Sequence, residues 1–343
     1  QTGVAGNITP KTVTLSDTQT YSGSNALTAV TISTGVAGQT LTYSGATANS
    51  AHVADNSTNY ITGITLVNGT GLASNYQLPT LNVANAPVTI NPAQVTLTAT
   101  GAVSKTYDGL TSASVGSGNY SVSGLVTGDT ITLGGLTSAQ YNSAQVVSAN
   151  NVSVANLTLS SVSGSHNSAI SDYNLQTSSL VWGSGGQAGT TANLAAAALT
   201  ISANSTTNQY GLGTTLGTTA FTTSGLVNGE VVGHVTLASA GSSASSNVGA
   251  YNITAAGATG SNFTASNYNI SYANGTLTIT QANATVTANS SSLTYSGVQQ
   301  NVSGFTATGL LNGDTVAVLT GVTAGGSGTN AGNYTTTATG TAQ

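Results

Sequence analysis

The sequence predicts an all-β chain built from tandem β-rich modules, and three observations support this. Val, Ile and Thr are abundant while only 4 of the 343 residues are proline, a composition that suits strands. Apolar and polar residues alternate over many short segments bounded by Gly, Asn and Ser. Four landmarks recur in the same order along the chain, which is typical of repeated domains.

The first landmark is a Tyr followed within two residues by Gly. Its copies recur at intervals of about 85 to 105 residues, the length of a small domain. A β-helix repeats about every 20 residues, so separate modules are preferred to that fold. The copies are Tyr21-Ser22-Gly23, Tyr107-Asp108-Gly109, Tyr210-Gly211 and Tyr295-Ser296-Gly297.

The second landmark is an alternating strand that is predicted to close each module. A further alternating strand follows each copy and runs towards the next Tyr motif. The copies are Val88-Thr89-Ile90, Leu199-Thr200-Ile201 and Leu277-Thr278-Ile279.

The third landmark reads Gly-Leu-Val or Gly-Leu-Leu, then a polar residue, Gly and an acid, as in Gly124–Asp129. It predicts a tight turn entering a strand, because Gly and Asn tolerate positive φ. The acid can accept local backbone N–H groups, so we interpret it as a structural turn residue and not a catalytic one. The three turn acids are Asp129, Glu230 and Asp314.

The fourth landmark is a Tyr after Asn or Asp, before an alternating strand. We expect its ring to be buried and its hydroxyl to reach a polar partner. The copies are Asn75-Tyr76, Asp172-Tyr173 and Asn267-Tyr268.

The landmarks divide the chain into one terminal strand and four modules. Asn7-Ile8-Thr9-Pro10 matches Thr89-Ile90-Asn91-Pro92, so the first residues resemble the end of a preceding module. The last module lacks closing strands, which the parent chain or a neighbouring copy would supply. The predicted divisions are a terminal strand 1–10, module 1 (YSG type) 11–92, module 2 (YDG type) 93–202, module 3 (YG type) 203–281, and an incomplete module 4, 282–343.

Two of these modules resemble known families. Residues 105–109, with Gly128-Asp129 and Asp172-Tyr173 downstream, resemble the YDG domain, and residues 203–281 resemble the MBG domain of the YG type. Both domains occur in large secreted bacterial adhesins, many of them similar to filamentous haemagglutinin. The resemblance implies a β-sandwich or β-grasp-like fold for each module and an extracellular location, and it does not imply a catalytic site.

The charge balance excludes several classes of function. Two Lys and Arg residues against seven acids leave no surface to follow a nucleic-acid backbone, and no apolar run is long enough to insert in a membrane. The chain has no Cys for disulfides. The acids are dispersed, and His52, His166 and His234 show no ligand spacing, so we predict no metal, no cofactor and no enzyme.

The leading functional hypothesis is a stalk segment of an adhesin or fibre on the bacterial cell surface, serving cell adhesion or biofilm cohesion. Its modules would stack end to end as a rod, with neighbouring modules as partners. One alternative is an array that binds extracellular polysaccharide or host glycan, with Trp182 either an exposed sugar platform or a core residue. Another alternative is a filament whose neighbouring copies exchange β-strands.

Overall fold

The computed structural model describes residues 3 and 6–342, which divide after Ala195 into two compact units. The prediction of an all-β chain is confirmed, since the only helical segments in the described part are single 3₁₀ turns. None of its helices is long and apolar enough to cross a membrane. The 3₁₀ turns are Val53–Asp55, Ala73–Asn75, Ser117–Asn119, Leu136–Ser138, Ile170–Asp172, Ala240–Ser242, Ala265–Asn267 and Val316–Val318.

The first unit holds modules 1 and 2. The strands of module 1 are β1 Lys11–Thr12, β2 Thr14–Thr20, β3 Thr31–Ser33, β4 Leu41–Ala48, β5 Ile61–Asn68, β6 Tyr76–Gln77 and β7 Val88–Asn91. Those of module 2 are β8 Ala93–Ala99, β9 Ala102–Thr106, β10 Tyr120–Ser123, β11 Thr130–Gly134, β12 Gln140–Tyr141, β13 Asn151–Val154, β14 Thr158–Ser163, β15 Tyr173–Leu175, β16 Leu180–Gly183 and β17 Thr191–Ala195.

The second unit holds modules 3 and 4. The strands of module 3 are β18 Ala197–Ala203, β19 Thr206–Gln209, β20 Phe221–Ser224, β21 His234–Ala238, β22 Gly249–Thr259, β23 Tyr268–Ala273 and β24 Gly275–Thr280. Those of module 4 are β25 Thr285–Ala288, β26 Gln300–Ser303, β27 Phe305–Thr308, β28 Val322–Gly328 and β29 Thr337–Gly340.

Modules 2 and 3 each open with the central strand of a three-stranded sheet. In module 3, β18 lies between antiparallel β20 and parallel β23, and in module 2, β8 lies between β10 and β15 in the same way. The chain continues into a second segment, β19 or β9, which pairs in parallel with the closing strand, β24 or β17. In module 1, β1 pairs in parallel with β6, and β2 pairs in parallel with the closing strand β7.

Antiparallel strand pairs fill the middle of each of the first three modules. They are β4–β5 in module 1, β11–β14 in module 2 and β21–β22 in module 3. Buried and exposed residues alternate identically along β8 and β18, so each of these opening strands turns one apolar face into its core. Module 4 differs, because none of its described residues is buried.

One strand lies in a different module from the one that the sequence indicated. Leu199-Thr200-Ile201 was expected to close module 2, but it lies in β18, which pairs with strands of module 3. The closing strand of module 2 is instead divided into β16 and β17, which pair with β13 and β9. Opening and closing strands alternate alike, so the pattern alone could not separate them.

The expected terminal strand at residues 1–10 lies partly outside the described residues. Positions 1, 2, 4 and 5 are not described, and residues 6–10 form no strand. Ile8 is 96% exposed, so its side chain packs against no part of the chain.

Trp182 lies in β16 and is 0% exposed. Its indole N–H donates to the backbone carbonyls of Thr100 at 3.1 Å and Asn119 at 2.8 Å, which satisfies the one polar atom of the ring. A sugar cannot reach a ring enclosed in this way. The hypothesis of a glycan contact at Trp182 is therefore wrong, and its alternative, a core residue, describes the side chain.

As the single tryptophan, Trp182 reports on the core of module 2. We expect blue-shifted fluorescence in the folded chain, weak quenching by iodide, and a red shift with full quenching in denaturant. Strong iodide quenching of the folded protein would contradict the burial of the ring.

Candidate functional site

A cluster of polar side chains lies where modules 1 and 2 meet within the first unit. We refer to these residues as the junction cluster, and most of them are buried. Module 1 contributes two aromatic rings, and module 2 contributes the acids and their hydrogen-bond donors. The members are Tyr21 and His52 from module 1, and Asp129, His166, Ser168, Asp172 and Tyr173 from module 2.

Asp129 follows the predicted turn, where its N–H donates to the carbonyl of Val126 at 3.0 Å. Its buried carboxylate accepts hydrogen bonds from Ser168 Oγ, from Tyr173 Oη at 2.6 Å, and from His166 Nδ1 at 3.1 Å. The structure thus gives this acid side-chain donors, whereas the sequence suggested local backbone N–H groups.

These donors set the charge state of Asp129. Burial raises the pKa of the carboxyl, but the hydrogen bonds from Ser168, Tyr173 and His166 together outweigh that effect and lower it. For the Tyr173 hydroxyl, burial and the adjacent carboxylate both raise the pKa, so Tyr173 remains a donor. The site therefore holds an ionised Asp129 at neutral pH.

Asp172 is the second buried acid of the cluster, and it reaches into module 1. Its carboxylate accepts from the backbone N–H of Val53 at 2.8 Å and from that of Ala169 at 2.8 Å, and His52 Nδ1 lies 2.8 Å from Oδ2. Two of these three partners belong to module 1. The contact therefore fixes the 52–53 loop of module 1 against module 2.

Tyr21, from the first Tyr-Gly motif, completes the junction cluster. Its ring is buried, stacks on His52 with centroids 5.9 Å apart, and meets Tyr173 edge-on at 5.4 Å. Its hydroxyl lies 2.5 Å from Ser168 Oγ, and burial raises its pKa. One aromatic side chain of module 1 is thus held by two residues of module 2, Ser168 and Tyr173, and by His52 of its own module.

Apolar packing surrounds this polar cluster. The buried core of module 1 extends into module 2 through Ala93, Val95 and Tyr173. Leu125 and Val126, from the turn that precedes Asp129, pack against the same core while partly buried. Modules 1 and 2 therefore share one core at the junction and are not two bodies joined only by a linker.

The contact between the turn and the Asn-Tyr landmark is a repeated feature. In module 2, Tyr173 Oη accepts the N–H of Val126 at 3.2 Å while it donates to Asp129. In module 3, Tyr268 Oη accepts the N–H of Val227 at 3.2 Å. Burial, and also a hydrogen bond to Glu230, raise the pKa of Tyr268.

Module 1 has the same contact at a turn that the sequence analysis missed. Tyr76 Oη donates to Gln39 Oε1 at 2.5 Å, and the Gln39 N–H donates to the carbonyl of Val36 at 3.2 Å. The segment Gly35–Gln39 is one residue shorter than Gly124–Asp129 and has an amide in place of the acid. The two glycines, both with positive φ, were the signal that could have found it.

The geometry of the junction cluster does not form a nucleophile and base pair. Ser168 Oγ contacts Asp129 and Tyr21, not a histidine, and His166 Nδ1 faces Asp129. Within the described residues, no group of three or more His, Asp or Glu side chains is placed to hold a metal ion. His234 lies outside the cluster, with Nδ1 at 3.2 Å from Thr218 Oγ1.

The two remaining turn acids lie in the second unit. Glu230 and Asp314 follow turns with the geometry seen at Asp129, since their N–H groups donate to the carbonyls of Val227 at 3.0 Å and Leu311 at 3.1 Å. Asp314 also lines an open cleft of about 500 Å³ in this unit. The cleft is lined mainly by small and apolar residues.

Asp129→Asn is expected to destabilise the first unit. A neutral amide cannot replace a carboxylate that receives three donors, and hydrogen bonds to charged groups contribute about 1.5–3 kcal/mol. Since the folded pKa of Asp129 is lowered, its stabilisation is present above the unfolded value of 3.8 and is lost as the pH falls through the folded pKa. Urea unfolding followed by Trp182 fluorescence, from pH 2 to 7, measures both effects.

Asp314→Asn is the matched control for this variant, because it changes the same turn position in module 4. We expect it to leave the unfolding of the first unit unchanged at every pH. If Asp129→Asn and Asp314→Asn lowered the unfolding free energy of the first unit equally, the junction contacts of Asp129 would contribute nothing to its stability.

Comparison with family models agrees with this geometry. Residues 91–180 match the YDG domain, and residues 199–278 and 284–343 match the MBG domain of the YGX type. The second match includes most of β18, in agreement with its pairing in module 3. No curated protein and no solved structure matches the chain. The chain therefore contains one YDG domain and two MBG domains, and the module that precedes them shares two parallel strand pairings with modules 2 and 3.

Proposed function

We propose that this chain is a stalk segment of an extracellular bacterial adhesin or surface fibre and that it withstands tension along the chain. In this role its modules hold a distal binding region away from the cell and serve cell adhesion or biofilm cohesion. The occurrence of YDG and MBG domains in one chain supports the proposal, as does the low charge, which leaves few sites for trypsin-like proteases.

The observation that carries the proposal is the parallel pairing of opening and closing strands. It joins β2 to β7, β9 to β17 and β19 to β24 in the first three modules. When two paired strands are parallel, the chain enters at one end of the pair and leaves at the other. Tension on the chain therefore shears all the paired positions together and does not open them one at a time.

The junction cluster supports the same role. A stalk transmits force only if its modules keep their orientation, and module 1 is held to module 2 by Asp172 and Tyr21 as well as by shared core residues. Only Pro92 separates β7 from β8, and its fixed φ limits rotation at the link.

Single-molecule pulling on module 3 tests the proposal. The chain has no Cys, so a pair of introduced cysteines defines the points of attachment. Ser205→Cys with Gln281→Cys shears the β19–β24 pair, whose four register positions share the load. Forced unfolding depends on the unfolding barrier, so we expect the shear pair to rupture at roughly two to four times the force of a control that opens a hairpin.

The control pair is His234→Cys with Thr259→Cys, which are register partners at the end of the β21–β22 hairpin. Pulling on these residues opens the hairpin one position at a time within the same module. Equal rupture forces for the two pairs would contradict the proposal that parallel pairing lets the modules withstand tension.

The glycan-binding alternative depended on an exposed Trp182, and that residue is buried. The strand-exchange alternative has a specific observation in its favour. Among the described residues β25 pairs only with β27, whereas its counterparts β18 and β8 also have a parallel neighbour, so no described strand pairs with the other edge of β25. A strand from a second copy could add to module 4 through such an edge.

Removal of residues 1–10 tests strand exchange, because this segment matches the end of a closing strand. We expect the shortened chain to lose any fibres that the full chain forms, as seen by electron microscopy. Fibres of unchanged length and number would exclude residues 1–10 as the donor.

A further inference from the structure

The Tyr-Gly motif lies where one module ends and the next begins. In each of the first three modules, its Tyr N–H donates to a carbonyl at the end of the closing strand. In modules 1 and 3 the next module starts soon after that strand, so the loop after the Tyr faces the junction. These bonds are Tyr21 to Asn91 at 2.8 Å, Tyr107 to Ala195 at 2.8 Å and Tyr210 to Thr280 at 2.9 Å.

At the junction of modules 1 and 2, this loop packs closely against the turn of module 2. Gly23 has φ of +75°, and a Cβ there would lie 2.8 Å from the ring of His166 and 3.1 Å from Val126 Cγ1. Position 23 therefore requires glycine for two reasons: its φ is positive, and module 2 leaves no room for a Cβ.

The same contact occurs independently within the second unit. Gly211 has φ of +86°, and a Cβ there would overlap the side chain of Leu311 in module 4. Leu311 and Val126 hold the same turn position, since each accepts the N–H of the turn acid three residues later, at 3.1 and 3.0 Å. Two junctions thus join a Tyr-Gly loop to the third residue of a Gly-Leu turn.

We propose that the Tyr-Gly loop is the docking surface of each module for the Gly-Leu turn of another module. We further propose that the loop Tyr295–Gly297 takes the turn Gly35–Gln39 of a second copy of this chain. This inference concerns how modules join, and it does not depend on whether the chain bears force.

Both proposed partners are exposed, and there is open space beside Gly297 for a docking partner. Tyr295 and Val298 are each 65% exposed, and a Cβ at Gly297 would meet only the hydroxyl of Tyr295, at 3.9 Å. In the turn of module 1, Val36 holds the position of Val126 and Leu311, because its carbonyl accepts the Gln39 N–H, and it is 37% exposed.

The chemistry and symmetry of the contact favour a second copy as the occupant. Neither segment carries a charge, so no like-charge repulsion opposes docking. The loop and the turn are different surfaces of one chain, so their contact is heterologous. It therefore extends head to tail instead of closing as a dimer.

Sedimentation velocity of the full chain across a wide concentration range tests the proposal. We expect concentration-dependent head-to-tail association that weakens about tenfold, or about 1.4 kcal/mol, in Gly297→Ala and in Val36→Asp. The matched controls are Gly217→Ala, a glycine of φ +69° with open space around it, and Val67→Asp, at an exposed valine of module 1. Both should associate like the unmodified chain.

A chain that stays monomeric at every concentration would overturn the proposal, as would equal weakening by test and control variants. Association that survives Val36→Asp but not removal of residues 1–10 would assign it to strand exchange and overturn docking. Within one chain, Gly23→Ala should lower the urea midpoint of the first unit more than Gly38→Ala. Both glycines have φ of +75°, but only Gly23 contacts the next module.

Discussion

The parallel pairing of opening and closing strands is the constraint on which each complete module depends. A parallel pair cannot be joined by a tight hairpin, so the chain needs a long connection between the two strands. The antiparallel hairpins, the Gly-Leu turn and the Asn-Tyr segment are that connection. The parallel pairing of the opening and closing strands therefore explains why these elements lie between the two strands in the sequence.

The same pairing decides where the modules meet. The closing strand β7 ends beside Tyr21, and one residue later β8 begins module 2. The Tyr-Gly loop is consequently the first surface that the next module encounters. Because the turn of that module comes back against its own opening strand through the Tyr173 contact, the loop and the turn are brought together. The recurrence of both motifs follows from this geometry.

Much of this organisation could be predicted from the sequence, because strands and turns leave local signals. Alternation identified the strands, and the glycines identified the turns at Asp129, Glu230 and Asp314. The partners of Asp129 could not be predicted, since they lie 37 to 44 residues further along the chain. Leu199 was also assigned to the wrong module, because alternation does not show which neighbour a strand will pair with.

The identity of the turn residue follows the number of donors that converge on it. In module 1 the side chain of Gln39 receives one side-chain donor, the hydroxyl of Tyr76, and its single amide oxygen accepts that bond. In module 2 the turn faces Tyr173, Ser168 and His166 together, which is more than one amide oxygen can accept while its NH₂ group points at further donors. A carboxylate has two oxygens and no hydrogen, so Asp satisfies all three. A buried charge is costly unless it is fully hydrogen-bonded, and in a chain with so few charged residues its place at this junction is explained by the donors that module 2 brings there.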